Sequence, residues 1–166
     1  MPLKVIGAGY GRLAHRLLSA TDTVEKYWCI DAVPRSTFLC DYHLKHLGWA
    51  GTEDSRAQVV PLDEMYRVKP GSIDLAINVH SFSEMGYDAI QAWIDWLVEL
   101  EVPRLFIIPN QAELLSKEED LVTRRDFADI LERAGYRRIA HEPTLTDESV
   151  RELVGVHDFF WLVERS

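Results

Sequence analysis

The sequence predicts an α/β domain, a sheet with helices on both faces, from three observations. Short apolar runs alternate with amphipathic segments along the chain. A glycine-rich turn joins the first apolar run directly to a helical pattern. No internal repeat, low-complexity tract or linker rich in Gly, Ser or Pro interrupts the series, so residues 1–166 read as a single domain. With 47% hydrophobic and 27% charged residues among 166, the chain can bury a sizeable core and is not disordered.

The elements follow in order. Leu3–Gly7 is a buried first strand, and Gly11–Ser19 a helix with Leu13, Ala14, Leu17 and Leu18 on one stripe. Tyr27–Asp31 is the second strand; Pro34–His46 is a helix opened by a proline in its first turn. Ala57–Leu62 is the third strand, followed by a turn at Lys69-Pro70-Gly71, and Ile73–Val79 is the fourth. Tyr87–Leu100 carries Ile90, Trp93, Ile94 and Leu97 at helical spacing. Pro103–Ile108 is the fifth strand. Phe127, Ile130, Leu131 and Ala134 stripe a further helix, which Gly135 can end in a left-handed cap. Tyr136–His141 and Val156–Val163 are two closing strands, joined by a link with a Thr-Asp-Glu-Ser helix start.

Charge and composition exclude several function classes. Lys and Arg number 18 against 27 Asp and Glu, a net charge of −9 with His neutral. Phosphate backbones and anionic lipid repel such a surface, so no nucleic-acid or membrane partner is expected and a small molecule is. No apolar run approaches the roughly 20 residues of a membrane span, and the start lacks a secretory signal's apolar stretch. The two cysteines, Cys29 and Cys40, read as buried free thiols of a reducing cytoplasm.

The strongest local signal is Gly7-Ala8-Gly9-Tyr10-Gly11-Arg12 between the first strand and helix. Glycines let the backbone turn sharply and let a ligand approach, and the helix start offers unpaired N–H groups. The spacing departs from the dinucleotide fingerprint, which wants its third small residue where Arg12 stands. Asp31 ends the second strand twenty positions after Gly11, where a carboxylate can accept both ribose hydroxyl protons of an adenosine. A turn that uses glycine for geometry alone is the structural alternative.

Gly7-Ala8-Gly9-Tyr10-Gly11-Arg12-Leu13-Ala14 resembles motif I of the class I S-adenosylmethionine-dependent methyltransferases. Two further blocks, Tyr27 to Phe38 and Ile77 to Met85 with its Asn78-x-His80-Ser81-Phe82-x-Glu84-Met85 pattern, are similar to the bacterial sugar O-methyltransferase family. The resemblance runs to the final His157–Arg165 segment. It implies a Rossmann-like seven-stranded mixed sheet with the last strand antiparallel, and S-adenosylmethionine over the carboxyl edge of the early strands. On that resemblance Gly7, Gly9 and Gly11, with Tyr10 in the same loop, would pass the methionine moiety. Asp31 would take the ribose, Ala32 and Leu62 would flank the adenine, and Asn78 would lie by the sulfonium. Family members carry a segment before the glycine strand; here that strand begins at Leu3, as in a fragment or a short form.

On the acceptor side, a sugar hydroxyl needs a base or a metal to become a good nucleophile. His80 and Glu84 are four apart after the fourth strand, so a helical turn would pair them, with the carboxylate orienting the imidazole. The alternative has His80 capping the turn and Glu84 meeting the next helix's backbone donors. Asn110, past the fifth strand, can hold a substrate hydroxyl or simply turn a loop. His43 and His46 lie three apart on a helix without a visible third metal ligand, so no metal is expected. His15, His141 and His157 read as structural, as do Trp93 and Trp161. Trp96 is out of phase with its helix, and its exposure would mark a surface for a missing segment or a homodimer.

The leading expectation is thus a cytoplasmic S-adenosylmethionine-dependent O-methyltransferase acting on a sugar or glycoside. A truncated, non-catalytic S-adenosylmethionine-binding module is the first alternative. A nicotinamide-dependent oxidoreductase is the second, disfavoured by Arg12 and by the lack of a Tyr-x-x-x-Lys pair.

Overall fold

The computed structural model describes residues 2–6, 8–110 and 112–165, with residues 2–6 as backbone. The elements are β1 (Pro2–Ile6), α1 (Arg12–Ala20), β2 (Lys26–Ile30), α2 (Pro34–His46) and β3 (Ala57–Val60). A 3-10 turn (Leu62–Arg67), β4 (Leu75–Val79) and a second 3-10 turn (Ser81–Glu84) follow. The rest are α3 (Tyr87–Glu99), β5 (Arg104–Ile108), α4 (Ala128–Arg133), β6 (Tyr136–Pro143), α5 (Glu148–Val154) and β7 (Phe159–Arg165). The chain divides into two compact units, the first ending at Ile77 and the second starting at Asn78.

In the first unit β3, β2 and β1 lie side by side and parallel, in the register Leu3↔Tyr27↔Ala57 and Ile6↔Ile30↔Val60. Tyr27, Ile30, Ala57 and Val60 are fully buried, as expected of strands covered on both faces. The amphipathic pattern of α1 places Ala14 and Leu18 inward, and α2 buries Thr37, Cys40 and Leu44. Both thiols are free and buried, and the hydrogen bond to Cys40, with burial, pushes the Cys29 thiol well up. The Cys29 thiol is therefore protonated and unreactive at neutral pH.

In the second unit β7 lies between β5 and β6 and runs antiparallel to both, pairing Leu105↔Val163 and Tyr136↔Arg165. The inward stripe of α3 is Ile90, Trp93, Ile94 and Leu97, each buried side chain contributing about 1.5–3 kcal/mol. The first free N–H of α3, on Tyr87, donates to Glu118 Oε1 at 3.2 Å. Gly135 follows α4 with φ +85°, the left-handed residue the sequence called for. The link before β7 forms α5, whose start is capped by Asp147 accepting from the Val150 N–H at 3.1 Å.

Seven strands form and the last is antiparallel, as expected; the described ladders are β1–β2–β3 in the first unit and β5–β7–β6 in the second. Several expectations are corrected. β3 ends at Val60 because Pro61 has no N–H for a ladder, and Leu62 opens the 3-10 turn instead of closing a strand. Gly7 lies outside the described residues. Trp96 is half-buried with its ring edge-on to Trp93 at 5.7 Å, so the exposed surface expected on it is not formed.

Candidate functional site

The first unit builds a pocket at the carboxyl end of β2. The Ala8 N–H donates to Ile30 O at 3.2 Å, and the Gly11 N–H closes the turn on Ala8 O at 3.0 Å. Asp31 then gathers the neighbouring backbone. Its Oδ2 accepts from the Gly9 N–H at 2.9 Å and its Oδ1 from the Val33 N–H at 2.8 Å. Thr37 Oγ1 donates to the Asp31 carbonyl at 3.2 Å and fixes the residue from α2. Each carboxylate oxygen keeps a second lone pair, and the side chain remains partly exposed. A bidentate acceptor aimed into open space suits a vicinal diol.

Asp31 opens into a cavity of about 640 Å³. Ala32, Pro34 and Phe38 form one apolar wall, and Val59, Pro61 and Leu62 the other. Asp41, Asp63 and Glu64 line it too, and the one cation among its described lining residues, Lys45, is held by Asp41 at 2.7 Å. Apolar walls a ring can enter, with carboxylates and no free cation among the described residues, fit a nucleoside and repel a pyrophosphate. Ala32 and Leu62 both line this cavity.

The glycines of the turn divide their roles. A Cβ on Gly9 (φ +54°) would meet nothing within 4 Å, so its backbone is open to a ligand. A Cβ on Gly11 (φ +84°) would stand 3.0 Å from Cys40 Sγ and from Leu44 Cγ. Gly11 therefore lets α2 pack close. It supplies the close helix contact that the sequence seemed to deny at Arg12, which is exposed. Tyr10 is half-exposed, with its ring edge-on to His43 at 5.7 Å.

In the second unit Asn78 is fully buried and its Oδ1 accepts from the Phe82 N–H at 3.0 Å. The side chain thus builds the 3-10 turn that follows β4. His80 starts this turn at φ +66°, a left-handed conformation uncommon for a residue with a side chain. Its N–H donates to Ile108 O at 2.7 Å, and its carbonyl accepts from Ser83 N–H at 2.9 Å. Phe82, fully buried edge-on to Phe127 at 5.9 Å, pins the turn in the core.

The partner of His80 is Asp158, whose Oδ2 lies 3.3 Å from Nε2, and not Glu84. The turn is 3-10, not α, and it begins from a left-handed residue, so positions four apart do not share a face. Glu84 lines a separate cavity with Gly86, Asp88 and Glu118, and it is Glu118 that serves the start of α3. The Asn110 N–H donates to Ser83 Oγ at 3.1 Å, which ties the loop after β5 to the His80 turn and leaves Asn110 exposed. Asp158, Phe38 and Asp63 were not singled out as site residues by the sequence; Asp158 is 78 positions from His80. Among the described residues no group of three or more His, Cys, Asp or Glu is arranged to hold a metal.

No protein-family model and no curated protein matches the chain. Solved structures do. The mitomycin 7-O-methyltransferase MmcR superposes with TM-score 0.71 at 18% identity, over 99% of this chain and 49% of that one. The fold is that of the Rossmann-like methyltransferases. A SAM-dependent methyltransferase from Aquifex aeolicus matches with TM-score 0.69 at 17% identity, over 100% of this chain and 82% of that one. The methyltransferase domain of bacterial CtHen1-C gives TM-score 0.73 at 14% identity, over 99% and 89%. The chain spans about half the length of the mitomycin enzyme. Among the described residues, no helix is long and apolar enough to cross a membrane.

Proposed function

We propose that the chain is an S-adenosylmethionine-dependent O-methyltransferase acting on a hydroxyl of a sugar or sugar-bearing small molecule. The observation that carries this reading is the Asp31 carboxylate, held by the Gly9 and Val33 N–H groups at the mouth of an apolar-walled cavity with no free cation among its described lining residues. Asp31 would accept the ribose hydroxyls, Ala32 and Leu62 would enclose the adenine, and the open backbone at Gly9 would admit the rest of the cofactor. When bound, S-adenosylmethionine supplies an activated methyl group on a cationic sulfur. The carboxylate-rich lining disfavours a dinucleotide and so the nicotinamide alternative.

For the acceptor, the Asn78-x-His80-Ser81-Phe82-x-Glu84-Met85 pattern supports a sugar hydroxyl, with His80 as the base and Asn110 as a hydroxyl ligand. Asn78 acts in this reading by shaping the turn that carries His80. The buried free thiols support a cytoplasmic setting. Incubating the chain with methyl-labelled S-adenosylmethionine and a panel of mono- and disaccharides tests the proposal. Label on a sugar ether, lost in His80→Ala, supports it. Tight cofactor binding with no transfer to any sugar would leave a binding module in its place.

A further inference from the structure

We propose that Asp158 is the positioning residue of His80 and that His80 takes its proton on Nδ1. The inference rests on the reading of His80 as the acceptor-side base. A carboxylate has only lone pairs to offer, so the proton between Asp158 Oδ2 and His80 Nε2, 3.3 Å apart, sits on Nε2. A neutral imidazole protonated there carries its lone pair on Nδ1. Among the described residues no hydrogen bond engages Nδ1, and 43% of the His80 side chain is exposed. The basic nitrogen is therefore open, and the other one is taken.

Both halves of the pair are fixed by the fold. On the His80 side, two backbone hydrogen bonds and the buried Phe82 hold the residue at φ +66°. A left-handed conformation is unfavourable for a residue with a β-carbon and persists where its surroundings over-determine it. On the other side, the Asp158 carbonyl accepts from both the N–H and the Oγ1 of Thr144, each at 2.9 Å. Thr144 directly follows β6 and Asp158 directly precedes β7, so this clamp closes the excursion through α5. An incidental surface ion pair needs neither the strained backbone nor the clamp.

With S-adenosylmethionine supplying the methyl group and its sulfur retaining the S–C electron pair, His80 Nδ1 would take the proton that the acceptor hydroxyl loses as its oxygen is methylated. The resulting imidazolium then faces the Asp158 carboxylate, which stabilises its charge.

The deciding measurement needs no acceptor. Nitrogen-15 spectra of the imidazole at about pH 8.5, where imidazole is ordinarily neutral, report the tautomer. The expected result is Nε2–H in the parent chain, mixed tautomers in Asp158→Ala, and Nε2–H retained in Asp158→Asn, whose amide oxygen still accepts. The same tautomer in the parent and Asp158→Ala overturns the proposal. So does Nδ1–H in the parent; and Asp158→Asn keeps the parent comparison open if the alanine variant fails to fold. With a sugar acceptor, Asp158→Ala lowers kcat about 10- to 100-fold, with KM within about twofold and no added loss in His80→Ala. Full turnover in His80→Ala, beside the expected tautomers, would instead refute the reading of His80 as the base.

Discussion

Replacing Gly11 with alanine isolates the packing role assigned to the last glycine of the turn. At φ +84° a β-carbon costs about 1–2 kcal/mol whatever the space around it. Here it would also stand 3.0 Å from Cys40 Sγ and Leu44 Cγ and 3.1 Å from Leu44 Cδ1, and overpacking of this kind costs about 1–3 kcal/mol. The expected loss is about 2–5 kcal/mol, and at roughly 2–4 °C per kcal/mol for a chain of this size it is readily seen in a thermal scan. Urea unfolding at constant m gives the free energy directly. Gly9→Ala is the control, since its β-carbon enters open space and only the φ penalty applies. Combining Gly11→Ala with Leu44→Ala should cost less than the sum of the two, because the truncation removes the clash. If Gly11→Ala is no less stable than Gly9→Ala, the assignment of Gly11 to helix packing is refuted.

Tyr27 is fully buried and its hydroxyl has no hydrogen-bond partner among the described residues. Tyr27→Phe removes that unpaired group and should raise stability by about 1 kcal/mol in the same urea assay; a loss of that size would mean the hydroxyl is paired. The Tyr136 hydroxyl donates to Val102 O at 2.7 Å, and burial pushes its pKa up to about 12. The unfolded phenol releases its proton near 10, so the folded state binds more protons between those values. Stability should fall as pH rises from about 10 through 12, and a chain carrying Tyr136→Phe should lose that part of the slope. An unchanged slope would show that Tyr136 is not its source.

Much of the frame was legible because local rules decide it. The bounds Pro34–His46 came directly from a proline at a helix start, and the stripe of α3 from its spacing. The place of Asp31 was legible as well: it follows the second strand directly, and its carboxylate meets the glycine turn through the Gly9 N–H. The packing role of Gly11 was not legible because it depends on Cys40 and Leu44, about thirty positions on, which meet it only once α2 is docked. Glu84 was misjudged because the spacing rule assumes an α-helical turn, and the left-handed His80 starts a 3-10 turn. Asp158 could not be found at all: its partnership with His80 is set by where the Thr144 clamp returns the chain. Contacts made by chain reversal leave no periodic trace in sequence.

The central claim is that Asp31 and its cavity hold S-adenosylmethionine. Calorimetric titration of the parent chain and Asp31→Ala with S-adenosylmethionine, S-adenosylhomocysteine and NADH tests it most directly. Both sulfur nucleosides should bind the parent and NADH should not. Asp31→Ala should lose about 1.5–3 kcal/mol, roughly 10- to 150-fold in Kd, as the ribose loses a charged acceptor. Equal affinity in the two chains, or binding of NADH in place of the sulfur nucleosides, would contradict the account.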